Sequence, residues 1–400
     1  MDKKRLIEKT NQYIFPTYKR SPVVIAEGKG CTVWDVNGKS YLDFVSGIAV
    51  NNLGHRHPKV VKAIHDQMQK LIHCSNLYYS LPQIELAELL VRNSFASRVF
   101  FCNSGAEANE AAIKIARKHA KDQGKIEKFE IITMLNSFHG RTLATITATG
   151  QAKFQKGFEP LPLGFCYVPF NNLLAIEETI NDSTIAVMVE PIQGEGGVNC
   201  PSDTYFKGLR AICDHHDLLL IFDEVQVGMG RTGRLFAYEH YQVEPDIMTL
   251  AKALGGGMPI GAMLANDRLK DTLSPGSHAS TFGGNALSMA AGKAVLDTLL
   301  HDGVLEHCRK IGEYFKERLI ELQNKYLFIN DVRGKGLFLG MELAIDGADI
   351  VDQCMKKGFL INCTMDNILR FMPPLIVKEK EVDSLIKALN QVFSKVNKAQ

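Results

Sequence analysis

Short apolar runs alternate along the chain with longer stretches of helical spacing. The runs predict the strands Arg98–Cys102, Glu130–Met134, Thr184–Glu190, Leu218–Phe222, Ile247–Leu250 and Ile260–Ala265. Because they lack the alternation of apolar and polar residues typical of a half-exposed sheet, we expect strands buried on both faces. The stretches of helical spacing between them include Ala106–Lys121, Leu173–Ile180 and Tyr205–His215. This order predicts an α/β fold with a mostly parallel central sheet and helices on both sides.

The pattern changes after Asn285. Two long helical stretches reach Tyr326 and are followed by three short apolar runs and a final helix over Lys380–Val396. This order is typical of a second, smaller α+β unit. We therefore expect a large domain over residues 51–290 and a small domain over residues 291–400.

Composition and charge narrow the classes of function. The apolar fraction of 46% and the charged fraction of 22% are ordinary for a globular protein. The net charge of +2 gives no reason to expect nucleic acid or an anionic membrane as a partner. The first residues, MDKKRLIEKTNQYIFP, lack the apolar segment of a secretory signal. No apolar run approaches the roughly 18 residues that a membrane helix needs.

The cysteines and histidines favour neither a disulfide framework nor a metal site. Nine cysteines occur without any CxxC pair, and an odd number of scattered thiols suits a cytoplasmic protein. The pairs His55/His57 and His215/His216 have no cysteine or carboxylate companions at ligand spacing. We therefore expect no bound metal.

Two ionisable residues directly follow predicted strands. Ligands of open α/β sheets bind beyond the carboxyl ends of the strands, and Asp223 comes straight after the run LLLIF. A carboxylate there needs a partner. It is either a helix cap or ion pair, or the counter-ion of a buried cationic heterocycle. Gln226, three residues later, is placed to donate to a nearby phenolate oxygen.

Lys252 leaves the apolar strand Ile247–Leu250 and enters a glycine-rich loop. Most lysines are solvated surface residues. A desolvated lysine, however, has a lowered pKa, and its neutral amine combines with aldehydes. Together, Lys252 and Asp223 predict a division of labour. The amine carries a cofactor aldehyde, while the carboxylate keeps a pyridine nitrogen protonated so that the ring takes up electrons.

The segment NSGAEAN lies between a predicted strand and a predicted helix. Ser104, Gly105 and Ala106 present N–H groups and a hydroxyl at the helix N-terminus, which is an anion site by its nature. The alternative is an ordinary turn with a serine cap. Phosphate is favoured once the role of Lys252 is accepted.

The segment SFHGRT follows the strand Glu130–Met134. Phe138 lies either against a planar ring or in the core. Arg141 offers a fork of donors suited to a carboxylate, and Arg370 in ILRFMPP offers a second. Two arginines make chemical sense for a transfer between two substrates that both carry carboxylates.

The ordered motifs of this chain resemble those of class III (ornithine-type) aminotransferases of pyridoxal-phosphate fold type I. The match runs from about Tyr18 to the C-terminus. It covers WDVNGKSYLDFVSGIAV, GHRHP, NSGAEANEAAIKIARK, SFHGRT, VEPIQGEGGV, FDEVQVGMGRTG, AKALGGGMPIGAM and STFGGN. The resemblance implies pyridoxal 5'-phosphate as cofactor. It also implies that residues 1–50 contribute to the small domain.

The resemblance assigns cofactor contacts to residues in these motifs. They are Ser104, Gly105, Ala106, Phe138, Asp223, Glu224, Val225, Gln226, Lys252 and Thr281. Among them, Lys252 would bind the cofactor covalently and shuttle the proton, with Asp223 on the pyridine nitrogen and Gln226 on the ring hydroxyl. Thr281 would complete the phosphate site of a neighbouring subunit, so that a homodimer is the smallest active unit.

The resemblance also assigns substrate contacts. Arg141 would take a carboxylate of the donor, and Arg370 the α-carboxylate of 2-oxoglutarate or glutamate. Glu195 would pair with that second arginine and move away when the other substrate needs its charge; the alternative is a plain loop carboxylate. Ser280, Tyr18 and Ile48 would lie near the substrate.

The sequence defines the donor less closely. Ornithine-specific relatives usually carry an aromatic residue at the position of Ile48, whereas isoleucine leaves room for an acylated head. Relatives that act on 4-aminobutyrate also carry isoleucine there, so Ile48 argues mainly against ornithine. FDEVQVGMGRTG and STFGGN are closer to the acetylornithine branch, which serves arginine biosynthesis. Succinyl-diaminopimelate is an alternative donor.

Other classes of function are disfavoured. An aminomutase or a decarboxylase on the same scaffold has less use for Arg141 and Arg370 together with Glu195. A non-catalytic relative has no need to keep Lys252. A nicotinamide site is excluded because no GxGxxG lies between a strand and a helix.

Overall fold

The structure is a computed structural model that describes residues 3–396 of the chain. Its helices, α1 to α13 in chain order, are Lys3–Tyr13, Ser46–Ala49, Pro58–Met68, Leu81–Arg92, Gly105–Asp122, Leu143–Ala148, Ala152–Gln155, Leu173–Thr179, Tyr205–His215, Ala286–His301, Val304–Lys325, Ala348–Lys356 and Glu379–Val396. Its strands, β1 to β15, are Ile25–Lys29, Thr32–Asp35, Ser40–Asp43, Arg98–Cys102, Glu130–Met134, Phe165–Val168, Thr184–Val189, Leu219–Asp223, Ile247–Leu250, Gly261–Ala265, Ile329–Lys335, Phe338–Leu343, Phe359–Leu360, Asn362–Thr364 and Ile368–Phe371.

The largest sheet has seven strands in the order β4-β10-β9-β8-β7-β5-β6. The pairs from β9 to β6 are parallel, whereas β10 runs antiparallel to both of its neighbours. The connection from β9 to β10 is too short for a helical crossover, and short connections join antiparallel strands. The predicted fold class, an α/β structure with a mostly parallel central sheet, is therefore confirmed.

The predicted strands match the structure to within one residue at each end. Strands β7, β8, β9 and β10 are buried along their whole length, as continuous apolar runs predict. The sequence analysis missed β6, a four-residue strand at the edge of the sheet that is only partly buried. A short, half-exposed edge strand gives a weak apolar signal.

Helices cover both faces of this sheet. Helix α5 packs on one face through the buried small side chains of Ala111, Ala112 and Ala116, which let the helix approach the strands closely. A larger core on the other face includes α10, which packs on α3, α4 and the turn Lys252–Gly255. The turn that carries Lys252 is therefore held between the sheet and a helix layer.

Two smaller sheets lie outside the central one. Their orders are β1-β2-β3-β13 and β11-β12-β15-β14. Strand β13 pairs in parallel with β3, so the segment before residue 50 shares a sheet with the C-terminal part of the chain. On this basis we propose residues 51–290 as the large domain, and residues 1–50 together with 291–400 as the small domain. Residues 1–2 and 397–400 of those ranges lie outside the described residues.

Three further features bear on the predictions from composition. In the part of the chain from residue 3 to residue 396, no helix is both long and apolar enough to cross a membrane. Across the same residues, no group of three histidine, cysteine or acidic side chains is arranged to hold a metal ion. All nine cysteines are free thiols.

Candidate active site

A cavity of about 460 Å³ lies where the strands of the central sheet end. Strands β4, β5, β7, β8 and β9 each end in a segment that contributes to its wall, as expected for an open α/β sheet. The predicted site residues that line it are Ser104, Gly105, Ala106, Phe138, Arg141, Glu195, Asp223, Val225, Gln226 and Lys252. Residues far apart in sequence thus meet in one cavity.

Asp223 is the most completely coordinated carboxylate in this wall. Only 4% of the residue is exposed. Its Oδ2 accepts hydrogen bonds from Asn109 Nδ2 at 2.8 Å and lies 2.8 Å from His139 Nδ1, while Oδ1 accepts the Val225 N–H at 3.0 Å. Thr249 Oγ1 donates in turn to Asn109 Oδ1 at 2.7 Å. A buried charge with this many partners is held in a fixed orientation.

Asp223 acts on the pKa of the buried His139. Burial alone would lower the pKa of its imidazole, but the hydrogen bond to Asp223 and the negative charge of Asp223 raise that pKa. The sequence analysis assigned no role to His139, Asn109 or Thr249. Their polar side chains become informative only when the fold gathers them around Asp223.

Glu190 is a second carboxyl group that the sequence analysis missed. Its two oxygens accept the N–H groups of Phe138, at 3.0 Å, and Gly194, at 3.2 Å. Burial raises its pKa to about 7. Glu190 therefore fixes the backbone that places Phe138 in the cavity wall.

Lys252 lies on the cavity wall, half-buried, in the turn after β9. Burial is the main cause that lowers the pKa of its amine. Arg370 lowers it further, while Glu195 and Asp223 act in the opposite direction. Its φ of 44° falls in the left-handed region, which is sparsely populated by residues other than glycine. Such strained backbone often marks a functional position.

The N-terminus of α5 forms one end of the cavity. Ser104 caps the helix, since its Oγ accepts the Glu107 N–H at 3.2 Å. The cap and the anion site are compatible, because the first N–H groups of a helix have no partner inside it. A Cβ on Gly105 would lie 2.7 Å from Val225 Cγ1, so this approach of backbone to side chain requires glycine.

Arg370 and Glu195 form an ion pair beside the cavity. Arg370 is 1% exposed, and its Nη1 lies 2.7 Å from Glu195 Oε1 and 3.3 Å from Gln226 Oε1. Burial disfavours the charged form of Glu195. The charge and hydrogen bond of Arg370, with Lys252, outweigh that cost and lower the pKa of Glu195. Glu195 is therefore a partnered anion in this structure.

Arg141 differs from Arg370 in its surroundings. It is exposed, and its guanidinium carbon lies 4.0 Å from the ring centroid of Phe154 and 5.4 Å from that of Phe138. A cation over two aromatic faces is held in place but keeps its donors free. The site thus has a buried, paired arginine and an exposed one.

Six of the predicted site residues lie outside the cavity lining of this single chain. They are the buried Arg370 described above and Tyr18, Ile48, Glu224, Ser280 and Thr281. Glu224 is turned away from the cavity, because its buried carboxyl group, with a pKa raised to about 8 by burial, accepts the N–H groups of Ala237 and Tyr238. The side chain of Glu224 therefore supports the loop, and a cofactor contact through its backbone stays a prediction.

The other four residues are exposed or lie next to the cavity wall. Tyr18 is 72% exposed, and Ile48 has a left-handed φ of 61°, which is rare for a β-branched residue. Ser280 Oγ accepts a hydrogen bond from Asn103 Nδ2 at 3.1 Å, and Asn103 itself lines the cavity. Thr281 is exposed on the loop next to Ser280.

Comparisons with known proteins agree with this geometry. A model of the family described as aminotransferase class-III matches residues 13–393. The acetylornithine aminotransferase of Methanocaldococcus jannaschii is 54% identical, with all of both chains covered. The structure is also similar to that of an acetylornithine aminotransferase from Elizabethkingia anophelis, with a TM-score of 0.89 and 34% identity over 99% of this chain and 100% of the other.

A solved ornithine aminotransferase from Toxoplasma gondii has a TM-score of 0.96 and is 34% identical. The match covers 100% of this chain and 95% of the other, and that structure has partial occupancy of PLP at its active site. The same fold therefore occurs in relatives that are named for two different amino donors, ornithine and acetylornithine. Neither overall shape nor an identity of 34% separates the two donors in these structures, whereas the 54% identical relative is named for acetylornithine.

Proposed function

Because the chain belongs to the class-III aminotransferase family, we propose that it moves the terminal amino group of N2-acetyl-L-ornithine to 2-oxoglutarate. The products are N-acetylglutamate 5-semialdehyde and glutamate, in arginine biosynthesis. The chain is a pyridoxal-phosphate-dependent aminotransferase, as its sequence motifs predicted. The observation that carries the proposal is the meeting of Lys252 and Asp223 in one cavity, in a chain with 54% identity to an acetylornithine aminotransferase.

The residues in the cavity fit the cofactor's three chemical features. The N-terminus of α5 suits a phosphate, the buried carboxylate of Asp223 suits a protonated ring nitrogen, and the amine of Lys252 suits an aldehyde. When bound, pyridoxal phosphate supplies an aldehyde that combines with amines and a ring that takes up electrons. We propose that the side chain of Phe138 packs against this ring.

Lys252 has two tasks in this proposal. Its Nζ would hold the cofactor covalently until the donor's terminal amino group takes that place. The freed Nζ, whose pKa is lowered by burial, would then carry the proton from the donor carbon that bears nitrogen to the cofactor. In the second half of the reaction it would carry a proton from the cofactor to the carbon of 2-oxoglutarate that gains nitrogen.

The carboxylate of Asp223 would face the ring nitrogen of the bound cofactor. His139 and Asn109 fix the carboxylate from behind, so that it needs no reorganisation during the reaction. We propose His139 and Asn109 as positioning residues.

The two arginines divide the substrates. We assign the exposed Arg141 to the carboxylate of acetylornithine, and the buried Arg370 to the α-carboxylate of 2-oxoglutarate or glutamate. Glu195 pairs with Arg370 at 2.7 Å and must release it for the second substrate. When acetylornithine binds, the ion pair between Arg370 and Glu195 can stay intact. One cavity can therefore serve two substrates of different charge.

We expect Arg141→Ala to weaken the acetylornithine half-reaction more than the glutamate half-reaction, and Arg370→Ala to do the opposite. Each selective loss should be about a hundredfold in kcat/KM, because a bidentate charge-assisted contact is removed. Single-turnover rates with each substrate measure both effects. Arg98→Ala is a control, since Arg98 lies outside the cavity and pairs with Asp271 at 3.7 Å. Equal losses in both half-reactions for both variants would refute the division.

The identity of the donor is tested by a panel of half-reactions. Acetylornithine, ornithine, 4-aminobutyrate and succinyl-diaminopimelate are each added to the purified holoenzyme, and the change in cofactor absorbance is followed. We expect acetylornithine to give a kcat/KM at least about tenfold above ornithine and 4-aminobutyrate. A higher value with ornithine or 4-aminobutyrate would overturn the donor, though not the aminotransferase class. Succinyl-diaminopimelate is the alternative donor, since one of its amino groups is acylated like the α-amino group of acetylornithine.

We propose further that two chains share their active sites. Asn76 Nδ2 donates to Ser280 O at 3.1 Å, so the loop with Thr281 lies next to an exposed apolar segment around Leu77 and Tyr79, which are 84% and 97% exposed. An apolar patch of this kind is typical of an interface. Sedimentation should give a particle of twice the chain mass of 44.4 kDa. A stable, active monomer would contradict the shared site.

A further inference from the structure

A second cavity, of about 330 Å³, lies away from the candidate active site and is rich in positive charge. Three elements meet there. They are the loop around Thr232 and Arg234, one face of α11, and the turn between β11 and β12. On α11, Arg309, Glu313 and Lys316 are spaced four and three residues apart and therefore share one face of the helix. Lys335 is the last residue of β11, next to the turn.

Close backbone contacts build this cavity. A Cβ on Gly312 would lie 2.4 Å from Gly336 O, and a Cβ on Gly336 would lie 2.5 Å from the carbonyl carbon of Thr232. A Cβ on Gly233 would lie 2.5 Å from Arg309 Cγ. Glycine is required at each position for the loop, the helix and the turn to meet. The cavity is thus a fixed junction of three elements.

Four cations line the cavity against one carboxylate. Arg234, Arg309, Lys316 and Lys335 face only Glu313 as an anion among the lining residues. Within residues 3–396, none of the four has a carboxylate within 4.0 Å, although ion pairs occur throughout the rest of that range. Gathering four positive charges around a single negative charge costs free energy.

The contacts that two of the cations do make leave donors free. Arg309 Nη1 donates to Gly233 O at 2.7 Å, and Lys316 Nζ donates to Gly334 O at 3.3 Å. An arginine has five N–H donors and a lysine has three. These hydrogen bonds to carbonyl oxygens hold the side chains of Arg309 and Lys316 in place but do not neutralise their positive charges.

The pKa of His240 is affected by the positive charges of the cavity. Burial lowers the pKa of its imidazole to about 4, and the positive charges of Lys335, Arg234 and Arg309 act in the same direction. Its Nε2 lies 3.0 Å from Thr232 Oγ1. His240 is therefore neutral at physiological pH and lies within the field of three of the four cations.

We propose that this cavity is a binding site for a compact, multiply charged oxyanion of the diphosphate type. Arginine forks match the oxygens of a phosphate group, and lysine ammonium groups add point charges around it. The volume exceeds that of one phosphate and accommodates two linked groups. This site is separate from the cofactor's phosphate site at the N-terminus of α5, and the two share no lining residue.

Inorganic pyrophosphate is the probe for the test, and the protein is the holoenzyme, so that the cofactor already fills its own phosphate site. Titration calorimetry is run at constant ionic strength in chloride for the wild type and for Arg309→Gln/Lys335→Gln. The matched control is Lys310→Gln/Lys357→Gln, which removes two exposed lysines outside the cavity. Half-reaction rates and melting temperatures close to wild type verify that all three proteins are folded.

We expect one pyrophosphate site per chain in the wild type and in the control. The cavity variant should bind about tenfold more weakly or worse, since two of four cations are gone. Two results would overturn the proposal. One is a wild type that shows no binding above chloride, which makes the cluster a solvated surface only. The other is equal binding by the cavity variant and the wild type, which places the anion elsewhere.

Discussion

Replacing Lys252 by alanine is expected to slow both half-reactions by about four orders of magnitude or more. The substitution removes the covalent hold on the cofactor and also the base that moves the proton, and each of these tasks contributes a large factor. Alanine also removes an amine whose pKa is lowered by burial, and nothing else in the cavity replaces that amine. The measurement is the single-turnover rate with acetylornithine and with glutamate.

Two controls separate chemistry from folding in this variant. Lys293→Ala removes a lysine of α10 that pairs with Asp297 and lies outside the cavity, so its rate should equal that of the wild type. Added methylamine should restore part of the Lys252→Ala rate, because a small amine can take over the proton transfer. A near-normal rate without added amine would show that another group does this chemistry.

Asp223→Asn is expected to lower kcat by about a thousandfold while leaving the fold intact. Asparagine has nearly the same shape, but it is neutral and cannot hold a proton on the ring nitrogen. Asn109 and His139, which each lie 2.8 Å from Asp223 Oδ2, would both lose a charged hydrogen-bond acceptor. The expected loss is therefore mainly electrostatic.

Asp246→Asn is the matched control. Asp246 is equally buried and pairs with Arg210 at 2.8 Å, but it precedes β9 at the opposite end of the sheet from the cavity. Its substitution should lower the melting temperature and leave kcat within about twofold. If Asp223→Asn were as active as Asp246→Asn, the charge of Asp223 would have no role in the reaction.

Much of the fold could be predicted because the central strands are buried on both faces. Continuous apolar runs over β7, β8 and β9 leave little ambiguity in a chain with helical stretches between them. Asp223 and Lys252 could be found for the same reason, since each interrupts apolar sequence at a strand end. The reversed direction of β10 was not predicted, because residue pattern alone does not encode strand direction.

The support around Asp223 could not be read from the sequence. Asn109 and His139 are 114 and 84 residues away from their partner, and each is an ordinary polar residue in its own segment. Glu190 accepts the N–H groups of Phe138 and Gly194, and its place in the cavity wall depends on how β5 and β7 pair. Only the three-dimensional arrangement brings these groups together.

Glu224 shows the limit of assigning roles by motif. It lies between Asp223 and Val225, both of which line the cavity, yet its own side chain points to Ala237 and Tyr238. Adjacent residues after a strand point in different directions, so membership of a motif does not place a side chain in a site. Thr281 presents the opposite case, since its proposed role depends on a second chain.

Reduction of the holoenzyme with borohydride, followed by peptide mapping, tests most directly whether Lys252 carries the cofactor. Borohydride makes the link between the cofactor and its amine permanent. The expected result is one pyridoxyl group per chain, on the peptide that contains Lys252, and none in Lys252→Ala. An unmodified Lys252 in the presence of excess pyridoxal phosphate, or a label on another lysine, would contradict the account.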